Sequence, residues 1–321
     1  MNAWRTQALY TAVVLQLPDH VAAGHTTSQK LAEATGADED GVHRLMRLLV
    51  GLGVFTLDAT GGYQTTQVST ALCTDRPGSL RDMCLLYGEE FYTAWTQARH
   101  AVTTGTSGFE RVYDRTLISY LGADPDAAAR FQRAMRSGNL FFDEVATVLD
   151  LSGQPTIVDV GGGGQLLSSV LRAEPHARGV LVNLEHMVPI AREHLDGAVG
   201  PDRVDVLAQD IFESVPAGGD VYLLSRVLGD WDDDAGVRLL GNIRDAMSPS
   251  ATLLVLERVV PDDGSAVLAA LWDLHLLVMN GGRHRTLDDM RAALLDRADL
   301  RLERVADLPM ETSALIVAHR T

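Results

Sequence analysis

The chain has 321 residues, 46% of them hydrophobic and 22% charged, with a formal net charge of −16. That length predicts roughly two domains and the composition a soluble globular enzyme. The negative charge excludes a phosphate-backbone binder, which needs clustered cations. No apolar run reaches the ~18 residues of a membrane span, and Gln16, Pro18 and Asp19 interrupt the start before it resembles a secretory leader. Cys73 and Cys84 are too few for a disulfide framework or a cysteine-rich metal site, so a reducing cytoplasm, no membrane and no metal are expected.

In chain order, residues 28–35 and 38–52 predict two short amphipathic helices about a turn at Gly36. Two strands follow, in residues 54–58 and 62–66, joined across Thr60, Gly61 and Gly62. Helix, turn, helix and hairpin wing form a winged-helix arrangement. Such a module binds DNA or dimerises. Its candidate recognition helix opens on Asp38, Glu39 and Asp40, where phosphates would lie, so dimerisation is expected and nucleic acid is not.

Residues 80–149 carry apolar side chains at helical spacing. Tyr87, Phe91, Trp95, Phe131, Met135, Phe141 and Phe142 read either as ordinary helix core or as the lining of a pocket for a flat acceptor. Residues 105–108 form a loop between these helices.

The stretch TIVDVGGGGQ, residues 156–165, reads as a buried strand, four glycines and the start of a helix. Missing β-carbons there let backbone approach a ligand closely. Apolar runs at 179–183, 204–208, 220–225 and 251–257 then alternate with helical patterns, and a helix at 287–295 precedes two closing strands. The fold class is therefore α/β, a parallel sheet with helices on both faces. Ligands in such sheets sit beyond the carboxyl ends of the strands, here Gly161–Gly164, Asn183 to Glu185, Gln209 with Asp210, Ser225 to Trp231, and Glu257. Asp159 just ahead of the glycines, and the missing third glycine of a dinucleotide loop, favour a cationic ligand over a pyrophosphate.

Taken together, the winged-helix half, VDVGGGG, QDIF, LSRVLGDWDDD, LERVVP and NGGRHRT resemble the S-adenosylmethionine-dependent small-molecule O-methyltransferases of plants and of bacterial natural-product pathways. The resemblance covers nearly the whole chain in order. It implies a Rossmann-like class I methyltransferase domain at 151–321, a winged-helix dimerisation domain at 1–100, a helical segment at 101–150 serving the acceptor pocket, and a homodimer. It also implies S-adenosylmethionine as cofactor. Asp159, Gly161, Gly163, Asn183, Asp210, Ile211, Ser225 and Arg226 would hold it, and Phe131, Met135, Trp231, Met279 and Asn280 would line the acceptor pocket.

In that family the general base is a histidine just before the Asp-Trp pair, steered by two carboxylates. Here Gly229 stands at the histidine position, Glu257 keeps the first carboxylate, and His284 replaces the second. Three cofactor positions also depart: Gln165 for the last glycine, Asn183 for the ribose acid, and Gln209 for the glycine before Asp210. Glu185, two residues past Asn183 and on the same side of an extended strand, is a substitute for that acid.

Two functions are compatible with these departures. One is methyl transfer to a hydroxyl of a polyketide or aromatic intermediate, with His284, Glu257 or Asp230 replacing the lost base. The alternative is a non-methylating relative, a cyclase, isomerase, hydroxylase or decarboxylase using the same pocket. His275 is expected to be a packed or surface helix residue, Asp232–Asp234 a solvated helix start where acids suit the macrodipole, and Arg283 and Arg285 structural.

Overall fold

A computed structural model describes residues 1–137, 142, 143, 145, 155–261, 263–308 and 313–321. The chain divides into two compact units: Met1–Thr93 with Ala129–Gly138, and Ala94–Ala128 with Asn139–Thr321. The first unit thus takes a segment from mid-chain as well as the start.

In the first unit the helix Ser28–Thr35 is capped by the Thr27 hydroxyl, which accepts from the Lys30 amide, and ends at Gly36 with φ +68°. The next helix, Glu39–Gly51, starts under Asp38, whose carboxylate accepts from the Gly41 amide at 2.8 Å. Glu39 and Asp40 in its first turn suit the positive end of the helix dipole. Val42, Met46 and Leu49 recur on one face and are buried. Strands β1 (Phe55–Leu57) and β2 (Tyr63–Thr65) pair antiparallel as the expected wing.

The helical pattern over 79–102 is broken into Arg81–Gly88, Glu90–Trp95 and Ala98–Thr104, and the first break falls at Glu89, which leaves the helical region at φ −117°, ψ −88°. Phe131 meets Phe91 edge-on at 6.5 Å between ring centres, and Phe91 meets Tyr87 in the same way at 5.1 Å. Phe91 is core, as is Phe142 in the second unit. Phe141 lies outside the described residues.

The second unit is built on seven strands in the order β5-β4-β3-β6-β7-β9-β8. These are β3 (Thr156–Val160), β4 (Arg178–Asn183), β5 (Val204–Ala208), β6 (Val221–Ser225), β7 (Thr252–Arg258), β8 (Leu300–Asp307) and β9 (Ser313–Arg320). The first five run parallel, while β9 lies antiparallel between β7 and β8. Alternate residues feed two cores. Ile157, Leu181, Leu223 and Leu256 face one layer of helices, and Val158, Val182, Tyr222 and Val255 face the other. The helix expected at 287–295 begins as an α-turn, Leu287–Asp289, and continues as a π-helical segment, Met290–Leu295.

Strand order reverses between β3 and β6, so a crevice is expected at their carboxyl ends. Asp159 sits there in register with Leu223.

Candidate active site and cofactor cradle

The cradle begins where β3 ends. Gly161 adopts φ +72° and Gly164 φ +80°, which L side chains resist. A Cβ on Gly162 would lie 2.2 Å from Asp159 Oδ1, so the bare backbone folds directly onto that carboxylate. Asp159 is 1% exposed, and its Oδ1 has no hydrogen-bond partner among the described residues. Burial raises its pKa to about 7, against one backbone hydrogen bond from Gly164. Ser225 Oγ, at the end of neighbouring β6, is a second buried atom without a partner there. Two buried polar atoms near the switch point thus lack a partner among the described residues, an arrangement that asks for an explanation.

The other expected cradle residues gather here with different duties. Ile211 packs on the loop; a Cβ on Gly161 would lie 3.0 Å from its Cδ1. Gly163 is half-buried. Asp210 is exposed and accepts from the Phe212 amide at 2.8 Å. Arg226 sits at φ +54°, a strained conformation for its side chain, and its amide bonds Leu256.

Asn183, expected at the ribose, is committed to protein instead. Its Nδ2 donates to the carbonyls of Gly161 and Gly162 at 3.2 and 3.0 Å, and its Oδ1 accepts from the Leu184 amide at 2.7 Å. An amide offers donor and acceptor together, so it ties the loop where a carboxylate would repel those carbonyls. Glu185 beyond it is exposed. Gln165 opens the helix Gln165–Ala173 behind Gly164, so the bare backbone of the cradle ends one residue earlier than the family pattern.

The acceptor-side residues meet around Gly229. Glu257, at the end of β7, is 1% exposed, and its Oε1 accepts from the amides of Leu228 at 2.9 Å and Gly229 at 3.4 Å. Burial first, then the neighbouring Asp230 charge, pushes its pKa up to about 7. Asp230 accepts from Asn280 Nδ2 at 2.7 Å, and burial of its carboxyl raises its pKa to about 6. His284 is held by its backbone amide, which donates to Asp273 at 2.7 Å. Neither of its buried ring nitrogens has a partner among the described residues. Burial, helped by the charges of Arg258, Arg226 and Arg285, lowers its pKa to about 3.

The loop carrying His284 is fastened under Gly229. Gly281 closes the helix Val267–Asn280 at φ +76°, and the Arg283 amide donates to the Gly229 carbonyl at 2.8 Å. Arg285 is 3% exposed and donates to the carbonyls of Leu228 and Trp231 and to Asp233, at 3.0, 2.9 and 2.9 Å. It is therefore a structural clamp. Arg285→Ala is expected to cost about 3 kcal/mol in urea denaturation, and Arg285→Lys to recover little, because an ammonium cannot reproduce the fork.

Of the residues assigned to the acceptor pocket, Trp231 packs edge-on against Phe212 at 4.6 Å. Met279 is 2% exposed, and both polar atoms of Asn280 are taken, by Asp230 and by the Gly282 amide. Phe131 packs in the first unit as described, and Met135 is half-buried there. His275, expected to be packed or at the surface, is packed: its Nδ1 accepts from Trp95 Nε1 at 3.0 Å, and its pKa falls to about 4 through burial and the Arg258 charge. Sequence reasoning missed Asp273 and Arg258. The latter lies 4.3 Å above the Trp272 ring. Asp273 lies two helical turns before Asn280 on the same face, the one signal that would have found it.

A mixed seven-stranded sheet with a glycine cradle at its switch point, and a buried carboxylate beside it, defines a class I methyltransferase fold. The chain belongs to the O-methyltransferase family: residues 95–300 match the O-methyltransferase domain, and residues 1–75 the O-methyltransferase dimerisation domain. It is 43% identical to the phenazine-1-carboxylate N-methyltransferase of Pseudomonas aeruginosa, over 98% of this chain and 94% of that one. Among solved structures, the mitomycin 7-O-methyltransferase MmcR superposes with a TM-score of 0.93 at 37% identity, covering 100% of this chain and 95% of that one. The neocarzinostatin O-methyltransferase NcsB1, solved with S-adenosylmethionine and 2-hydroxy-5-methyl naphthoic acid, gives 0.85 at 29% identity over 99% and 96%. The chain is thus an enzyme of the methyltransferase fold. Among the described residues, no helix is long and apolar enough to cross a membrane and no cluster of residues would hold a metal.

Proposed function

We propose that this enzyme moves a methyl group from S-adenosylmethionine to a heteroatom of a fused-ring aromatic intermediate of natural-product biosynthesis, as a cytoplasmic homodimer joined through its N-terminal module. The observation that carries the reading is the buried Asp159 Oδ1 against the bare glycine backbone, with Ser225 Oγ at the end of neighbouring β6, both without a partner among the described residues. When bound, the cofactor supplies an electrophilic methyl on a sulfonium. Asp159 neutralises the positive charge of its amino-acid end, Gly161 and Gly163 admit it against backbone, and Ile211 with Asp210 borders the base. Ser225 and Arg226 close the far side.

Glu185 takes the ribose hydroxyls, since Asn183 is bound to the loop. On the acceptor side Glu257 and Asp230 hold the turn bearing Gly229, and His284 faces the acceptor as a neutral imidazole. The relatives described above are methyltransferases by name, which supports methyl transfer over the cyclase, isomerase, hydroxylase or decarboxylase alternative.

Calorimetry with S-adenosylmethionine and S-adenosylhomocysteine tests this directly. Binding in the micromolar range is expected, and no heat at high micromolar cofactor ends the reading. Glu185→Ala is expected to weaken binding about tenfold, or about 1.4 kcal/mol, with the melting temperature unchanged. An unaltered Kd would remove Glu185 from the cradle.

A further inference from the structure

Hydroxyl and nitrogen acceptors make different demands on the protein. When the lone pair of an aromatic ring nitrogen forms the new N–CH3 bond, the S–CH3 bond breaks and its electrons return to sulfur. The positive charge passes to nitrogen, and no proton leaves. A phenol treated in the same way ends with an O–H proton that some group must accept, and near neutral pH the phenol itself is mostly protonated, ionising near ~10.

No imidazole base stands at position 229, and each carboxylate beside it has one oxygen engaged by the fold. Gly229 has no side chain. Glu257 turns Oε1 to the amides of Leu228 and Gly229, and Asp230 is bound to Asn280. Burial first, and then the charges of Arg258, Arg226 and Arg285, oppose a proton on the His284 ring. A Cβ built on Gly229 would touch Leu276 Cδ1 at 3.1 Å, His284 Nδ1 at 3.4 Å and Glu257 Oε2 at 3.5 Å. A methyl there needs Leu276 to yield by a few tenths of an ångström. An imidazole on the same Cβ displaces one of the three, so an imidazole at 229 and the one at 284 compete for the same space.

Resting on the methyl-transfer reading, we propose that Gly229 and His284 act as a coupled pair that selects acceptors with no proton to lose, an aromatic ring nitrogen above all. His284 is the positioning residue of the pair. It fills the space a base would need and presents a neutral, polar edge to the ring.

The test uses the intact enzyme with two probes, phenazine-1-carboxylate as ring-nitrogen acceptor and 2-naphthol as phenol. For the unaltered enzyme, kcat/KM on 2-naphthol is expected to rise about tenfold per pH unit from pH 7 to 9, following free naphtholate. On phenazine-1-carboxylate it should change less than twofold. Absorbance of 2-naphthol bound with S-adenosylhomocysteine should show no naphtholate at pH 7. A flat naphthol profile, or ionised naphthol in the complex at pH 7, overturns the proposal, since either requires a resident base.

The coupling is read from variants. Gly229→His alone, which must displace Leu276, His284 or Glu257, is expected to bring no gain on 2-naphthol at pH 7 and to lower kcat/KM on phenazine-1-carboxylate at least tenfold. Gly229→His with His284→Ala should gain at least tenfold and flatten the pH profile, as a general base contributes about 10²–10⁴-fold. Equal gains from the single and double variants overturn the coupling. The pH profile and the absorbance need no variant, so they decide even if a variant fails to fold. Absence of cofactor binding by calorimetry sinks the methyl-transfer reading instead, a separable outcome.

Discussion

Gly282→Ala is expected to lower kcat/KM at least 100-fold while leaving cofactor Kd within threefold. The added Cβ would lie 2.1 Å from the Gly229 carbonyl oxygen, 2.8 Å from Asn280 Oδ1 and 2.9 Å from the Asp230 carbonyl carbon. Two of those three atoms are backbone, which cannot swing aside as a side-chain tip can. Relief requires the loop to lift, and lifting it breaks the Arg283 amide bond to Gly229 and loosens the Arg285 clamp. His284 then moves relative to Gly229, and a displacement of ~1 Å at a reacting centre costs about 10² in rate. Overpacking of this kind also destabilises by about 1–3 kcal/mol. Steady-state kinetics beside a thermal melt check both. Near-normal turnover would mean that the loop holding His284 has no part in the reaction.

Asp159→Asn is expected to change the pH dependence of stability in the cofactor-free enzyme. A buried carboxyl whose pKa is raised to about 7 in the folded state contributes fully while protonated, below its unfolded value of ~3.9. That contribution disappears as pH climbs through 7. Asparagine does not titrate. The variant should therefore gain about 2–3 kcal/mol on the unaltered enzyme between pH 5 and pH 8 in urea denaturation. The same substitution should weaken S-adenosylmethionine binding, because the charge that destabilises the empty fold is the one that receives the sulfonium ligand. A pH-independent difference in stability would show that Asp159 is ionised throughout, held by a partner other than the cofactor. Such a cost at a ligand cradle is the expected exchange of stability for function.

Much of this enzyme was legible in its residue order because the signals were local. Apolar runs in β3, β4, β6 and β7 are long and unbroken since both faces of these strands are buried. The glycines after Asp159 mark a close approach that needs no knowledge of the rest of the fold, and the helices about the turn at Gly36 show in their apolar spacing alone. The motif order identified the family, and the missing histidine at 229 was visible as a single letter. The acidic run marked the helix start at Asp233, and the structure adds that Asp232 caps it by accepting from the Ala235 amide.

What tertiary structure decided were relations between distant residues. The helical pattern over 79–102 gave no sign of its break at Glu89, because the apolar period continues across a residue whose backbone leaves the helix. Asn183 looked like a weakened ribose ligand until its amide was found binding two glycine carbonyls, a partnership created only when β3 and β4 pair. Antiparallel β9 enters between β7 and β8, an order that alternation alone does not encode. Gly229 and His284 are far apart in sequence, and each alone reads as a lost function. Only the loop folded beneath the Gly229 carbonyl brings the imidazole against the vacated Cβ position, and side-chain contact across that distance is a property of packing, which no periodicity in the chain records.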